Sequence, residues 1–549
     1  MKYFDRNTWF WIFMAGIFFI PFLGGVHLFD WDEINFAELA REMVVSGDYL
    51  RLQINYESFT EKPPMFFWLQ AMSMHLFGVG EFAARFPNAL LGMVVLPFLY
   101  ISGKFLVDRK FGFLWAMCWF GSILPFLYFK SGIIDPFFNF FTFAGIFFLI
   151  HYIWKKTSYR DLYFSKTAGT YLWMAGIFIG LAISTKGPVA YLVVVLTLAL
   201  VWVAGRFRHS MPLISFIKFS FLALAVFLLW FSVEFISHGP DFLIDFTIRQ
   251  WELLTSQDAG HGGFFGYHFV VLLLGCFPAS IFALRSLGGF SSLPFHIRDF
   301  QRWMIILLLV ILVLFSLVGT KIIHYSSLAY YPITFLAALA IWNFLESRIR
   351  YRVWLTVVLA LLGIIVAVAS LALPYAGQNP GVITSLLEND PFALANLRAD
   401  VSWGNWTYLP GVLMLFVTLG FVVLVRSRML AAMRLLFFGT GIWVLLALTF
   451  FVGRVEHISQ RAAVNFFKDQ QGKEVYVTTF GYKSYVPWFY ARVQPYENEK
   501  AQNQNWLLHG QTDRPVLISA KVTRQQELEK EVPDARFLYE KNGFVFYQR

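Results

Sequence analysis

Charged residues are scarce: 14% of the 549 residues are Asp, Glu, Lys or Arg, against 58% hydrophobic ones. Soluble domains carry about 25% charged and about 45–50% apolar residues, and a single soluble core stops growing at roughly 250–300 residues. The shortfall excludes one large soluble globule and leaves lipid as the solvent for most of the chain. Cysteine is nearly absent. Cys118 and Cys276, the only pair, lie far apart in apolar runs, which excludes a disulfide framework and thiolate metal-ligand spacing; each reads as a small buried hydrophobe. Internal repeats and low-complexity segments are also missing, which counts against the duplicated architecture common among transporters. No small-residue cleavage site follows the first apolar run, 9–29. That run exceeds a signal-peptide core of roughly 7–15 residues, so it is expected to be a retained membrane helix.

What is present is a long series of apolar runs. A hydrocarbon core about 30 Å thick takes about 20 helical residues, because every backbone polar group must be satisfied within the segment. On that scale thirteen spans are expected: 9–29, 84–107, 111–129, 133–154, 170–184, 187–204, 212–236, 266–284, 302–319, 325–345, 352–373, 408–426 and 431–452. The break at Thr185-Lys186-Gly187-Pro188 either separates two short spans or interrupts one long element. The net charge of +10 does not mark a nucleic-acid face, since Lys and Arg fall in short runs between apolar segments. With a cytoplasmic N-terminus, loops such as Lys104/Arg109/Lys110 and Arg348/Arg350/Arg352 lie inside. The acidic Asp30–Arg85 loop then lies outside, as the positive-inside rule requires. An odd number of crossings puts 453–549 outside as well.

The chain thus divides into an α-helical polytopic membrane domain, 1–452, and a small soluble α/β domain, 453–549. In the latter, Glu474–Phe480 alternates as a strand does, and Pro515–Ser519 reads as a buried strand. Thr523–Glu531 is helical, and Phe537–Tyr539 and Phe544–Tyr547 flank a Lys541-Asn542-Gly543 hairpin signal.

Polar groups then appear where they are costly. Asp30-Trp31-Asp32-Glu33 follows the first span. Ile34–Val45 is amphipathic, with Phe36, Leu39, Ala40 and Met43 on one face and Glu38, Arg41 and Glu42 on the other; it reads as an interfacial helix in the membrane plane. Asp32 and Glu33 either complement that helix's dipole or belong to a site. Glu61-Lys62-Pro63-Pro64 holds an acid and a base in a fixed extended backbone, as a solvated ion pair or as site groups. Asp135-Pro136 opens an apolar helix, as a cap or as an intramembrane functional carboxylate. Lys186 sits at a Gly-Pro break, which at membrane depth is tolerated only where it is buried in protein or lines a cavity. Farther on come Arg249, His261, His268, Lys321, His324 and Tyr325; such histidines are more often hydrogen-bonded loop residues than ligands.

On this topology Asp32, Glu33, Glu61, Lys62, Asp135, Lys186, Lys321 and His324 share the external side and are expected to meet in one cavity. Carboxylates suit a sugar and a proton transfer, lysines a phosphate, and apolar walls a long lipid. That combination points to transfer of a sugar from a lipid phosphate. The alternative is a transporter or flippase of a lipid-linked glycan.

Five short motifs, in this order, resemble the GT-C membrane glycosyltransferases of family 39, and among them the bacterial transferases that add 4-amino-4-deoxy-L-arabinose to lipid A. They are Asp32-Glu33 with Ala37–Met43; Glu61-Lys62-Pro63-Pro64; Ala84-Arg85-Phe86-Pro87-Asn88-Ala89-Leu90; Asp135-Pro136; and Gly180-Leu181-Ala182 with Thr185–Pro188. Lys321–Tyr325 loosely matches a later family segment.

The resemblance implies the GT-C fold and an inverting transferase of a bacterial inner membrane, with its site and tail domain on the periplasmic side. It implies a polyprenyl-phosphate sugar donor with no nucleotide sugar. Asp32 would be the leading catalytic carboxylate, with Asp135 and Glu33 beside it. Lys62 would bind the donor phosphate, and Glu61, Arg85, Lys186, Lys321, His324 and Tyr325 would complete the substrate site. Glu61 and His261 match positions that hold a structural Zn²⁺ in some relatives. Asn35 and Phe36 stand where the aminoarabinose transferases usually carry Arg and Tyr, so the acceptor is lipid A, another envelope glycan or a protein hydroxyl.

Overall fold

The structure is a computed structural model that describes residues 4–157, 166–207, 211–255, 262–288, 293–385 and 387–549. Among the described residues, nine helices are long and apolar enough to cross a membrane. They are Glu81–Leu106, Asp135–Lys156, Ala168–Lys186, Leu213–His238, Phe295–Leu317, Ile323–Leu345, Val353–Gln378, Asn405–Leu424 and Met429–Ser459. The other four expected spans are helical but short or broken: Arg6–Phe19, Arg109–Phe120 with Ile123–Tyr128, Val189–Ala204, and Tyr267–Gly275 with Ala279–Leu284. Chemistry explains two of these differences. Pro278 has no N–H to donate and breaks the helix before it. The first helix stops at Phe19, ahead of Pro21, which has no N–H to continue it, and Lys130 Nζ, 2.5–3.3 Å from the carbonyls of Phe18, Phe19 and Pro21, satisfies acceptors at that end.

The helices form two classes. Asp135–Lys156 and Ile323–Leu345 are 89% and 94% buried over their apolar windows, whereas Leu213–His238 and Val353–Gln378 are only 22% and 28% buried. The outer pair exposes large side chains such as Phe221, Leu229, Val357 and Leu361, a surface that water would reject and lipid accepts. The inner pair carries Asp135 and His324 at its ends, so the polar groups of interest stand on the most enclosed elements. Close crossings rest on small residues: a Cβ on Gly112 would lie 2.3 Å from the Tyr100 carbonyl.

The loop after the first helix is enclosed by protein. Its helix, Asp32–Ser46, is buried on both faces from Glu33 to Met43. The polar face is satisfied internally instead of by water. Arg41 grips Glu38 through two hydrogen bonds of 2.7 Å. Glu42 accepts the N–H groups of Asn55 (2.6 Å) and Tyr56 (2.9 Å), the left-handed turn residues of a tiny hairpin. That hairpin, β1 (Gln53–Ile54) with β2 (Glu57–Ser58), is followed by the helix Met65–Phe77.

The tail domain follows the sequence reading. A four-stranded sheet has the order β3 (Tyr476–Phe480), β4 (Val516–Lys521), β6 (Phe544–Gln548), β5 (Arg536–Lys541). β3 and β4 are parallel, and the other pairs are antiparallel. Asn542 and Gly543, both left-handed, close the β5–β6 hairpin. The composition change at 453 falls inside one helical stretch, Met429–Ser459, so the backbone passes without a break from the apolar part into the tail. The domain docks on the segment between the first helix and Glu81. Leu28 N–H donates to Tyr490 Oη (2.8 Å), Arg492 to the Val79 carbonyl (2.6 Å) and Tyr56 Oη to the Val493 carbonyl (2.8 Å).

Candidate active site

Asp135 is the first residue of the Asp135–Lys156 helix, and it is 1% exposed. Its carboxylate does not cap the helix. It accepts from Lys186 Nζ at 2.6 Å, while its second oxygen has no hydrogen-bond partner among the described residues. Lys186 ends one helix, and Gly187 (φ +93°) with Pro188 turns the chain into the next, Val189–Ala204. A side chain at Gly187 would meet Gln250, and glycine alone takes that backbone without strain. The Lys186 ammonium also lies over the rings of Tyr325 (5.2 Å) and Phe138 (5.7 Å).

Asp32 opens the Asp32–Ser46 helix, and its side chain is 39% exposed. His324 Nε2 stands 3.5 Å from Asp32 Oδ2. The imidazole feels the charges of Asp135, Lys186, Asp32 and Lys62 together, which brings these five groups into one constellation. Ser327 Oγ donates to the His324 carbonyl (2.5 Å) and receives Asn139 Nδ2 (2.8 Å), which anchors the histidine's turn to the Asp135 helix. Lys62 Nζ contacts Glu61 at 2.7 Å, and Gln250 donates to the Glu61 carbonyl at 3.2 Å. Gln250 thereby ties the Lys62 segment to the Lys186 turn. Burial would raise the Glu61 carboxyl, but Lys62, Arg249 and Lys483 hold it below its usual range.

Three expected site residues have other partners. Glu33 is buried and accepts from Arg85, from Gly132 N–H (2.7 Å) and from Phe29 N–H (3.1 Å). Burial would raise its carboxyl; Arg85 and these amides hold it down. Arg85 was expected to bind substrate, but its five donors are taken by both Glu33 oxygens and by the carbonyls of Leu23, Val26 and His27. Lys321 likewise gives its ammonium to the carbonyls of Phe315, Ser316 and Val318 at a helix end, so it has no donor left for a ligand. Asn88, three residues after Arg85, donates to Ser131 and Ile133 carbonyls at 2.7 Å. The Ala84–Leu90 motif therefore clamps the two loops that present Asp32 and Asp135.

The metal expectation finds little support in the residues present. Glu61 is flanked by Lys62 and, at 3.8 Å, by Arg249, cations that compete with a metal ion. His261 lies outside the described residues. Among those described, no group of three His, Cys, Asp or Glu is placed to hold a metal.

Two contributions were missed in the sequence. Lys483, from the tail domain, stands 5.1 Å over the Trp31 ring beside Asp32, and it approaches Tyr485 at 5.6 Å. No local pattern links positions some 450 residues apart. An apolar groove of about 570 Å³, lined by Ile183, Pro188, Phe231, Phe235, Leu243 and Phe246, runs beside the Lys186 turn.

Residues 61–230 match the family model described as dolichyl-phosphate-mannose-protein mannosyltransferase. The chain is 25% identical over 414 residues to the undecaprenyl phosphate-alpha-4-amino-4-deoxy-L-arabinose arabinosyl transferase of Shewanella sediminis, covering 72% of this chain and 70% of that one. It is 26% identical over 271 residues to the protein of the same description from Edwardsiella ictaluri, covering 48% and 46% of the two chains. The crystal structure of ArnT from Cupriavidus metallidurans bound to undecaprenyl phosphate superposes with a TM-score of 0.76 at 18% identity, over 99% of this chain and 98% of that one. An archaeal oligosaccharyltransferase, AglB from Archaeoglobus fulgidus, gives a TM-score of 0.52 at 11% identity, over 99% and 74%. Likeness at these identities shows a shared fold.

Proposed function

We propose that this chain, a GT-C membrane glycosyltransferase of the polyprenyl-phosphate-dependent kind, moves a sugar from a polyprenyl-phosphate carrier to lipid A or a similar envelope glycolipid. The observation that carries the reading is the meeting of Asp32, His324, Asp135, Lys186 and Lys62 from five separate segments at one mouth of the helical domain.

The chemistry is one displacement. An acceptor hydroxyl oxygen attacks the anomeric carbon, the bond from that carbon to the carrier phosphate oxygen breaks, and the configuration inverts. Asp32, the open carboxylate of the set, takes the hydroxyl proton, with His324 orienting it. The phosphate leaves on its lipid with its charge met by Lys62 and Lys186. Asp135 holds Lys186 in place and Tyr325 lies under its ammonium. Glu61 holds Lys62. Glu33 and Arg85 are positioning residues that fix the start of the Asp32 helix. The apolar groove beside Lys186 takes the lipid chain. Counting the short and broken helices as crossings gives thirteen, and the distribution of Lys and Arg then supports a periplasmic site and tail domain of a bacterial inner membrane protein. No step is assigned to a metal.

Purified protein in lipid nanodiscs, given undecaprenyl-phosphate-linked 4-amino-4-deoxy-L-arabinose and lipid A, is expected to add the sugar mass to lipid A by mass spectrometry. Asp32→Asn is expected to abolish the product. Equal product from both proteins would overturn the reading.

A further inference from the structure

A second cavity, of about 790 Å³, opens between the β1–β2 hairpin and the tail domain. It lies within the range of about 300–1,000 Å³ typical of ligand sites. Its walls mix hydroxyl and amide side chains (Ser58, Thr478, Gln504) with ring faces (Tyr482, Trp488). Glu61 and Tyr485 also line it, and Tyr485 lies within electrostatic reach of both Glu61 and Asp32. The cleft reaches the constellation through Glu61, which lines it and holds Lys62 Nζ at 2.7 Å.

Resting on the transferase reading, we propose that this cleft is the acceptor site, and that it binds the saccharide headgroup of the acceptor. Sugar rings offer many hydroxyls of either hydrogen-bonding sense and apolar C–H faces. The cleft answers with hydroxyls such as that of Ser58, with the Gln504 side-chain carbonyl as an acceptor, its Nε2 being held by Thr478 Oγ1 and the Thr479 carbonyl, and with aromatic rings. Arg249 and Lys483 in the same wall suit a phosphate on the headgroup.

A protein acceptor fits less well. An extended peptide would pair with a free strand edge, and β3, one of the two edge strands of the sheet, lines the cleft. Gln504 Nε2 already donates to the Thr479 carbonyl on it at 2.5 Å, and Thr479 Oγ1 donates to the Tyr482 carbonyl at 2.8 Å. The Thr479 carbonyl of that edge is therefore already taken. The tail domain, on this view, selects the acceptor, while the membrane domain holds the donor.

The test uses full-length protein with the same donor and lipid A. Ser58 is exposed on β2, so Ser58→Trp fills the cleft without disturbing a core; Trp488→Ala removes a ring face. Each is expected to raise the acceptor KM about tenfold or more, with donor KM within about twofold, as loss of acceptor binding alone requires. Lipid A stripped of its acyl chains is expected to compete with the acceptor in the parent protein and to lose potency in both variants. An unchanged acceptor KM in both variants, with Asp32→Asn inactive, overturns the acceptor site and leaves the transferase reading standing. Competition by a Ser/Thr-containing peptide, with none by the deacylated headgroup, overturns the saccharide assignment. Full activity of Asp32→Asn removes the reading beneath it, and the acceptor site falls with it.

Discussion

Asp135 and Lys186 form an ion pair of 2.6 Å between the first residue of one helix and the last residue of another, and the pair leaves one Asp135 oxygen without a partner among the described residues. A buried pair of this kind contributes little net stability, but breaking it costs about 3–5 kcal/mol because an unpaired charge remains. Asp135→Asn and Lys186→Gln are each expected to lower the thermal midpoint and abolish transfer. The double variant is expected to recover most of the midpoint and none of the activity. Recovery of both would make the pair purely structural. The measurement is a thermal melt beside a transfer assay on all four proteins.

Among the described residues, Lys62 has one protein acceptor, Glu61 Oε1 at 2.7 Å, which leaves two further N–H groups for a phosphate. A hydrogen bond to a charged group is worth about 1.5–3 kcal/mol, so Lys62→Ala is expected to weaken undecaprenyl phosphate binding about 10- to 100-fold. Lys321→Ala is expected to leave that affinity within about threefold, because its three donors close a helix end. Titration of both variants with undecaprenyl phosphate separates the two lysines, which sequence spacing had grouped together.

That grouping marks the limit of what could be read in advance. Apolar runs gave the helical framework, since backbone satisfaction in lipid leaves few choices. The strands and the hairpin of the tail were legible from local alternation and from Asn542-Gly543. The approach of Asp32 to His324 and of Asp135 to Lys186 agrees with the shared side read from the loops. Side-chain direction was not legible. Arg85 and Lys321 sit in the right segments, yet both turn to backbone carbonyls that exist only once helices end and loops fold back. The amphipathic pattern of Ile34–Val45 was legible, but not that its polar face meets the β1–β2 hairpin and its own Arg41 instead of water. The role of Lys483 depends on the tail docking back onto residue 31, and no window of sequence carries that information.

Arg85 offers the sharpest contrast between positioning and binding. All its donors hold Glu33 and the carbonyls of residues 23–27. Arg85→Lys keeps the charge but cannot reproduce a five-donor fork. It is expected to lower the thermal midpoint and the yield of folded protein, with the donor KM of the surviving fraction within about threefold. A large rise in donor KM at an unchanged midpoint would return Arg85 to the substrate site.

Asp30 gives the docking of the tail a pH dependence. Its carboxylate accepts the Tyr485 N–H at 3.2 Å. Burial pushes it up to about 6, against the opposing effect of hydrogen bonds from Ser484 and Tyr485. In the unfolded chain the same group titrates near 4. Between these two values the folded protein binds more protons than the unfolded one, so stability falls as pH rises. The contribution is complete below about pH 4 and is lost as pH passes through about 6. Asp30→Asn keeps a neutral acceptor oxygen and no longer titrates. It is expected to be more stable than the parent at pH 7.5, and the difference is expected to shrink as pH falls to 5. Thermal melts of both proteins across that range check this, and parallel curves would remove Asp30 from the docking equilibrium.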